Sequence, residues 1–184
     1  MRICNEKLLG EGKFLALHEL EYEDRNGVRR KWERASRKRN CGAVVIIATL
    51  IPSGQLIMIR QYRPPAGKVV LEFPAGLMEN NEPPEETALR ELREETGYIG
   101  TVDSVSSMGY SSPGMIGETA YLVKMSVAEE AQTELKTDFD EAEDIETILV
   151  DPAQLADFIR TEESSGNGID LKVIAFASAL SRGV

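Results

Sequence analysis

Three glutamates stand at a spacing that places side chains on one face of an α-helix. They are Glu91, Glu94 and Glu95, and separations of three and four residues put them about one helical turn apart. Like charges at this spacing destabilise a helix by roughly a few tenths of a kcal/mol per pair, so helix propensity does not explain them. Clustered carboxylates are hard oxygen donors that suit Mg²⁺ or Mn²⁺ bridged to phosphates. The alternative is a solvated helix face on which Arg90 and Arg93 relieve the repulsion.

Other catalytic groups are scarce in this chain. With one histidine, His18, and two cysteines, Cys4 and Cys41, an imidazole zinc site, a Ser-His-Asp triad and a disulfide framework lack the residues they need. We interpret both cysteines as packing residues. The formal net charge of −10 argues against nucleic acid as a partner, because phosphate backbones are bound by clustered Lys and Arg. No apolar run approaches the roughly 20 residues of a membrane span, and no export signal is evident, so we expect a cytoplasmic protein.

Strand and helix patterns surround the three glutamates. Pro83 and Pro84 predict the start of the helix that carries them, and Gly97 predicts its end. A second helix is expected after Asp151-Pro152, and a third over residues 171–181. The β-branched run at 43–51 predicts a buried central strand. Further strands are expected at 55–61, 69–73, 102–110, 119–127 and 145–150. This irregular mixture favours an α+β or α/β/α sandwich.

A β-hairpin is predicted at the N-terminus. Its strands are residues 13–22 and 29–35, and Asn26-Gly27 suits a tight primed turn between them. A lone hairpin is marginal in water, so it must dock on the main domain or on a second subunit. We therefore divide the chain into an N-terminal hairpin at 1–40 and a main domain at 41–184.

The segment from Gly76 to Tyr98 resembles the motif of the Nudix hydrolases. That motif is written G-x5-E-x7-R-E-U-x-E-E-x-G-U, where U is an aliphatic residue, and every fixed position matches. The departure is Tyr98, an aromatic residue at the last aliphatic position, which touches packing rather than metal binding. The resemblance implies the Nudix fold, an α/β/α sandwich. It also implies a reaction in which water attacks one phosphorus of a pyrophosphate.

The same resemblance implies roles for individual residues. Ala75 would offer its carbonyl to a divalent cation, Mg²⁺ or Mn²⁺, and Glu91 and Glu95 would bind the cation directly. Glu94 would act as a further ligand or as a catalytic carboxylate. The remaining motif positions, which we class as structural, are Gly76, Glu82 and Arg90.

Flanking segments resemble the branch of the family that hydrolyses ADP-ribose and other nucleoside diphosphate sugars. The sequences RQYRPP at 60–65 and LEFPAG at 71–76 resemble that branch, and Arg63 matches its phosphate-binding arginine. A guanidinium fork suits phosphate oxygens, although a salt bridge with Glu72 is the alternative. Ser112, in the sequence Ser-Pro-Gly, lies where this branch carries a characteristic proline turn. These matches imply a small nucleotide sugar as the substrate.

The N-terminal segment resembles the part with which that branch grips its substrate, often across a dimer interface. Trp32 would stack on the base, Glu33 would hydrogen-bond near it, and Arg37 would contact phosphate or ribose. Phe14 falls where relatives carry a second aromatic residue. The resemblance therefore implies a homodimer.

An acidic stretch before residue 145 resembles a loop that closes over the site. Glu141 or Glu143 would supply the general base and a further metal ligand, with Glu118 as a reserve. An exposed acidic loop without a catalytic role is the alternative. A carboxylate on a mobile loop would act only over bound substrate, which limits wasteful attack by water.

The expected reaction is cleavage of ADP-ribose, or a related nucleoside diphosphate sugar, to a nucleoside monophosphate and a sugar phosphate. Two alternatives remain open. One is another Nudix substrate, such as GDP-mannose, a nucleoside triphosphate or a dinucleoside polyphosphate. The other is a sensor that binds a nucleotide sugar without cutting it, although the complete set of glutamates weighs against it.

Overall fold

The structure is a computed structural model that describes residues 1–38, 42–132, 135–139 and 144–182. Within these ranges no helix is long and apolar enough to cross a bilayer. The strands in chain order are β1 (Arg2–Glu11), β2 (Leu15–Glu23), β3 (Arg29–Arg37), β4 (Ala43–Ile51), β5 (Leu56–Arg63), β6 (Lys68–Glu72), β7 (Ala75–Leu77), β8 (Thr101–Val105), β9 (Gly109–Tyr110), β10 (Thr119–Ala128), β11 (Ile145–Val150) and β12 (Gly168–Ile169). The α-helices are α1 (Pro84–Thr96), α2 (Leu155–Ser164) and α3 (Leu171–Leu180).

Strand β4 lies between two apolar cores. Because successive side chains of a strand point to opposite faces, Val44 and Ile46 pack in one core with Leu92 of α1. Val45 packs in the other core with Leu155 of α2. Burial on both faces explains why every residue of the strand except Thr49 is apolar. The predicted α/β/α sandwich is therefore confirmed, with α1 on one side of the sheet and α2 and α3 on the other.

The central sheet splits at one end. Strands β4 and β5 are antiparallel but pair only where Ala48 and Thr49 meet Ile57 and Leu56. Beyond this point β6 pairs with β5, and β7 pairs with β4. The chain crosses from β6 to β7 through Pro74, whose carbonyl accepts a 2.8 Å hydrogen bond from the Ile46 N–H. The split lies where β4 begins and β5 ends, so it opens beside the loop that leads into α1.

The N-terminal region is a three-stranded antiparallel sheet in the order β1-β2-β3. The predicted hairpin is present as β2 and β3. Its turn is a three-residue loop closed by the Asp24 N–H on the Val28 carbonyl at 3.0 Å, with Gly27 at a φ of 76°, instead of the expected two-residue turn. Strand β1 was not predicted, because two irregularities in its register disturb the alternation of its side chains. It contains Cys4, a free and partly buried thiol, whereas Cys41 lies outside the described residues.

One predicted strand, residues 102–110, is broken into β8 and β9. Ser106 still pairs with Leu122 of β10, but the Ser106 hydroxyl accepts the Leu122 N–H at 2.9 Å. A side-chain acceptor thus replaces a backbone carbonyl, and the regular ladder stops. Short β7 and β12 were also missed, since two or three residues carry no periodic signal.

Candidate active site

Helix α1 presents its glutamates as their spacing predicts. It begins at Pro84, where a missing N–H costs nothing, and Glu85 and Glu86 suit the positive end of the helix dipole. It ends at Gly97, whose φ of 75° is left-handed and whose N–H donates to the Arg93 carbonyl at 2.9 Å. The helix is therefore continuous through all three glutamates.

The glutamate face is turned towards β7. Glu95 is 2% exposed, and its Oε2 accepts a 3.0 Å hydrogen bond from the backbone N–H of Ala75. The Glu91 carboxylate fills the space beside Gly76, since a Cβ added there would lie 1.8 Å from Glu91 Cδ. Glu94 is partly exposed at the rim of the same face. Glu91 and Glu95 therefore meet the strand, whereas Glu94 borders the solvent.

Arg90 connects this face to the preceding loop. Its Nη1 donates to Glu91 at 2.7 Å and to Glu94 at 3.1 Å. Its Nη2 donates to Glu82 Oε2 at 2.9 Å and to the Leu77 carbonyl at 3.1 Å, while Nε donates to Glu82 Oε1 at 3.1 Å. Such contacts hold the loop against the helix and limit the rotamers that Glu91 can adopt.

Glu82 gives the loop a pH-dependent stability. Hydrogen bonds from Arg90 lower the pKa of the Glu82 carboxyl from 4.5 to about 2. Because this pKa is depressed in the folded state, the stabilisation is present above pH 4.5 and is lost as pH falls towards 2. We expect Glu82→Gln to lower the free energy of unfolding at pH 7 by about 1–3 kcal/mol, as for lost charge-assisted hydrogen bonds. Urea unfolding at pH 7 and pH 3 should show a smaller drop in stability for Glu82→Gln than for wild type. An equal drop would contradict the assignment.

Tyr98, the departure from the family motif, is a packing residue. It is buried in the core beneath α1. Burial raises the pKa of its hydroxyl, with a smaller contribution from Glu129. An aromatic ring thus takes the place of an aliphatic side chain without reaching the glutamate face.

The oxygen donors on this face fit a divalent cation shared with a ligand. Among the residues the structure describes, no three Asp, Glu, His or Cys side chains converge closely enough to cage a metal by themselves. Mg²⁺ seldom needs such a cage, since it is commonly held by one or two carboxylates together with water and substrate phosphates. Glu91 and Glu95 provide two carboxylates beside the Ala75 backbone, and oxygen donors favour Mg²⁺ or Mn²⁺ over softer metals.

The N-terminal sheet brings Trp32 to the 111–118 loop. The indole is 53% exposed, and its Nε1 donates to the Gly114 carbonyl at 2.9 Å. The ring lines a surface cavity with Tyr22 and Pro113. Ser112 is the second residue of the loop, and its carbonyl accepts a hydrogen bond from the Ile116 N–H at 2.9 Å. Trp32 and Ser112 thus lie on opposite sides of one contact, and the hairpin docks on its own main domain.

Arg37 lies at the same end of the molecule as the glutamate motif. Its Nε donates to Glu118 Oε1 at 2.5 Å, so the reserve carboxylate is already engaged. Ala120, just after Glu118, pairs with Ala43 of β4, and Ala43 also pairs with Leu77 of β7. Neighbouring strands are about 4.8 Å apart, which places Ala120 roughly 10 Å from Leu77.

The other predicted N-terminal contacts are less closely grouped. Glu33 follows Trp32 in β3 and therefore points to the opposite face of the sheet, across from Glu19 of β2. Phe14 is 69% exposed, and the Lys13 ammonium lies 4.9 Å from its ring centroid. Glu33 therefore does not share the face of the sheet on which Trp32 meets the loop, and Phe14 lies just before β2, outside the ladder.

Arg63 forms a salt bridge with Glu72, which was the alternative to a phosphate contact in the sequence analysis. Its Nε and Nη2 donate to the two carboxylate oxygens of Glu72 at 2.7 and 3.0 Å. A guanidinium has five N–H donors, so a phosphate contact would share Arg63 with Glu72.

Two of the proposed catalytic residues cannot be placed. Glu141 and Glu143 lie outside the described residues.

One buried polar residue beside the split was not predicted from sequence. Gln61 of β5 is 5% exposed. The signal was its alternation with Ile57 and Ile59, which places a polar side chain on an inward face of β5.

Comparisons with known proteins point to one family. A model of the NUDIX domain matches residues 40–169. An uncharacterised Nudix hydrolase of Schizosaccharomyces pombe is 32% identical over 183 residues, which cover 95% of this chain and 89% of the relative. An ADP-ribose pyrophosphatase of Bacillus subtilis is 37% identical over 163 residues, covering 88% of this chain and 82% of the relative. The crystal structure of an ADP compounds hydrolase shares the fold, with a TM-score of 0.65 at 21% identity over 86% of this chain and 82% of that chain.

Proposed function

The chain belongs to the Nudix family, and on that premise we propose that it hydrolyses the diphosphate of ADP-ribose or a related nucleoside diphosphate sugar. With ADP-ribose the products would be AMP and ribose 5-phosphate. The ADP-ribose pyrophosphatase of Bacillus subtilis, which is similar over most of its length, supports this substrate class. The Trp32 side chain also supports it, since an exposed indole beside an apolar cavity offers a platform for a flat base.

The observation that carries the proposal is the contact between the glutamate face and β7. Glu95 is oriented by the Ala75 N–H, and Glu91 is held between Gly76 and Arg90. Both carboxylates are thus fixed before a ligand arrives, so little reorganisation would accompany binding. Glu94, at the rim, would support a ligand from the solvent side.

A divalent cation bound to these carboxylates would neutralise diphosphate charge and lower the pKa of a bound water. The chain's own residues would do the rest. Arg63 would bind a phosphate oxygen from the end of β5 while Glu72 orients its guanidinium. Arg37 would bind phosphate or ribose from the end of β3, where Glu118 holds it. Glu141 or Glu143 is proposed from sequence as the general base.

We also propose that the N-terminal region, residues 1–40, forms part of a homodimer interface. The face of its sheet opposite Trp32 carries exposed Leu15 and Leu17, 52% and 40% exposed, together with Glu33. A second copy would cover these leucines and could receive Glu33 at its own site. Light scattering after size-exclusion chromatography should report twice the mass of the chain, and a monomer at micromolar concentration would contradict the proposal.

A substrate panel tests the function. The purified protein with Mg²⁺ or Mn²⁺ should give its highest kcat/KM with ADP-ribose, measured as AMP released. Preferred cleavage of GDP-mannose, a nucleoside triphosphate or a dinucleoside polyphosphate would assign the protein to another substrate class. Tight binding of ADP-ribose without AMP release would make it a sensor.

Trp32 should act on substrate binding more than on the chemical step. Stacking of a base on an aromatic side chain contributes about 1–3 kcal/mol, so Trp32→Ala should raise KM for ADP-ribose roughly tenfold or more with little change in kcat. Trp32→Phe keeps a ring but loses the hydrogen bond to Gly114, and its KM should fall between the two. A KM in Trp32→Ala equal to that of wild type would exclude stacking.

A further inference from the structure

Gln61 carries a buried acceptor without a protein partner. The side chain is 5% exposed, and its Oε1 has no hydrogen-bond partner among the described residues. Leaving such an atom unpaired costs free energy, whereas an apolar residue of similar size would avoid that cost. An unpaired buried acceptor calls for an explanation, and a donor on a bound molecule provides one.

The Gln61 side chain lies on the face of the sheet that α1 covers. Side chains two residues apart share a face, so Gln61 points to the same side as Ile59 and Ile57. Ile57 packs in the core beneath α1. Thr147, which pairs with Ile59, approaches the Glu95 carbonyl with its hydroxyl at 3.5 Å. Gln61 therefore faces the helix that carries the glutamates.

Gln61 also lies at the end of that face where the central sheet splits. It stands two residues before the end of β5, beside the split at which β6 and β7 diverge, and it pairs with Val70 of β6. The described carboxylates on this face include those of Glu72, Glu91 and Glu95, which accept hydrogen bonds from Arg63, Arg90 and the Ala75 N–H. An ionised carboxylate has no hydrogen to donate to Gln61 Oε1, and a diphosphate oxygen has none either.

We propose that Gln61 is a positioning residue that holds the attacking water of the reaction. The inference rests on the proposed hydrolysis. Oε1 accepts one O–H of the water, which orients the oxygen lone pair towards the diphosphate. Attack forms a new P–O bond and breaks the bridging P–O bond, whose electrons leave with the departing phosphate group. One proton of the water passes to a site carboxylate.

The test replaces Gln61 with methionine, which has similar length and no strong acceptor. We expect kcat for ADP-ribose to fall at least tenfold, KM to stay within twofold, and the midpoint of thermal unfolding to stay or rise. A structural glutamine would show the reverse pattern, a lower midpoint with nearly normal kcat, and that result would overturn the proposal. Gln154→Met is the matched control, because Gln154 is exposed and should change neither quantity.

Gln61→Asn provides a second variant with a smaller change in volume. Asparagine keeps the carboxamide, but its shorter side chain moves the oxygen away from the site. The kcat should again fall while the KM stays unchanged. A wild-type kcat would overturn the proposal. A rise in KM at constant kcat would place Gln61 on the substrate and would also overturn it. Wild-type protein that cleaves no nucleotide would refute the proposed function itself. Cleavage by wild type with full kcat in both variants would refute only the role of Gln61.

Discussion

Replacing Glu95 with glutamine should lower ADP-ribose hydrolysis by at least about two orders of magnitude while the fold is retained, as for loss of a fixed electrostatic group at a reacting centre. The buried carboxylate accepts a hydrogen bond from the Ala75 N–H, and the glutamine carbonyl can accept the same bond. Side-chain shape is therefore conserved, while the negative charge is lost and one acceptor oxygen becomes an N–H donor. Because that charge would hold the cation, the variant should also need more Mg²⁺ for its half-maximal rate.

The matched control for Glu95→Gln is Glu86→Gln. Glu86 lies on the same helix, is exposed, and has the same charge to lose. AMP release and the midpoint of thermal unfolding should be measured for both variants over a range of Mg²⁺ concentrations. Full activity of Glu95→Gln at saturating Mg²⁺ would remove Glu95 from the metal site.

Gly76→Ala should reduce activity by roughly 10-fold to 100-fold, although it adds a single methyl group, because misplacing a group at a reactive site by about 1 Å can cost 100-fold. The new Cβ would lie 1.8 Å from Glu91 Cδ and 2.0 and 2.2 Å from its two carboxylate oxygens. The obstacle is the end of a flexible side chain, so the backbone can stay while Glu91 moves away. We therefore expect a loss of kcat that is large compared with the change in unfolding midpoint.

A double-mutant cycle shows whether the methyl group acts through Glu91. If it does, Gly76→Ala combined with Glu91→Gln should be no slower than Glu91→Gln alone, since coupled residues are not additive. Additive losses would mean that Gly76 acts by another route. Gly10→Ala is the control, because a Cβ at Gly10 meets nothing within 4 Å.

Much of the architecture could be predicted because its signals are local. The prolines and the glycine that bound α1 act within one turn of the chain, and the predicted limits agree with Pro84–Thr96. The run at Ala43–Ile51 is apolar because both of its faces are buried, and its predicted bounds were confirmed. The split between β4 and β5 could not be predicted, since it depends on which strand edge pairs with β6 and which with β7.

The sequence by itself determined that Glu91, Glu94 and Glu95 share one helix face, because helical geometry converts spacing into direction. Only the tertiary structure decided what that face meets. Glu95 reaches the Ala75 N–H because β7 pairs with β4 at that level of the sheet. Likewise, Gln61 continues the alternation of Ile57 and Ile59, which predicts its face, but its neighbours come from strands far away in sequence. Spacing along the chain orients side chains within one element, whereas partners depend on register between elements, which long-range pairing sets.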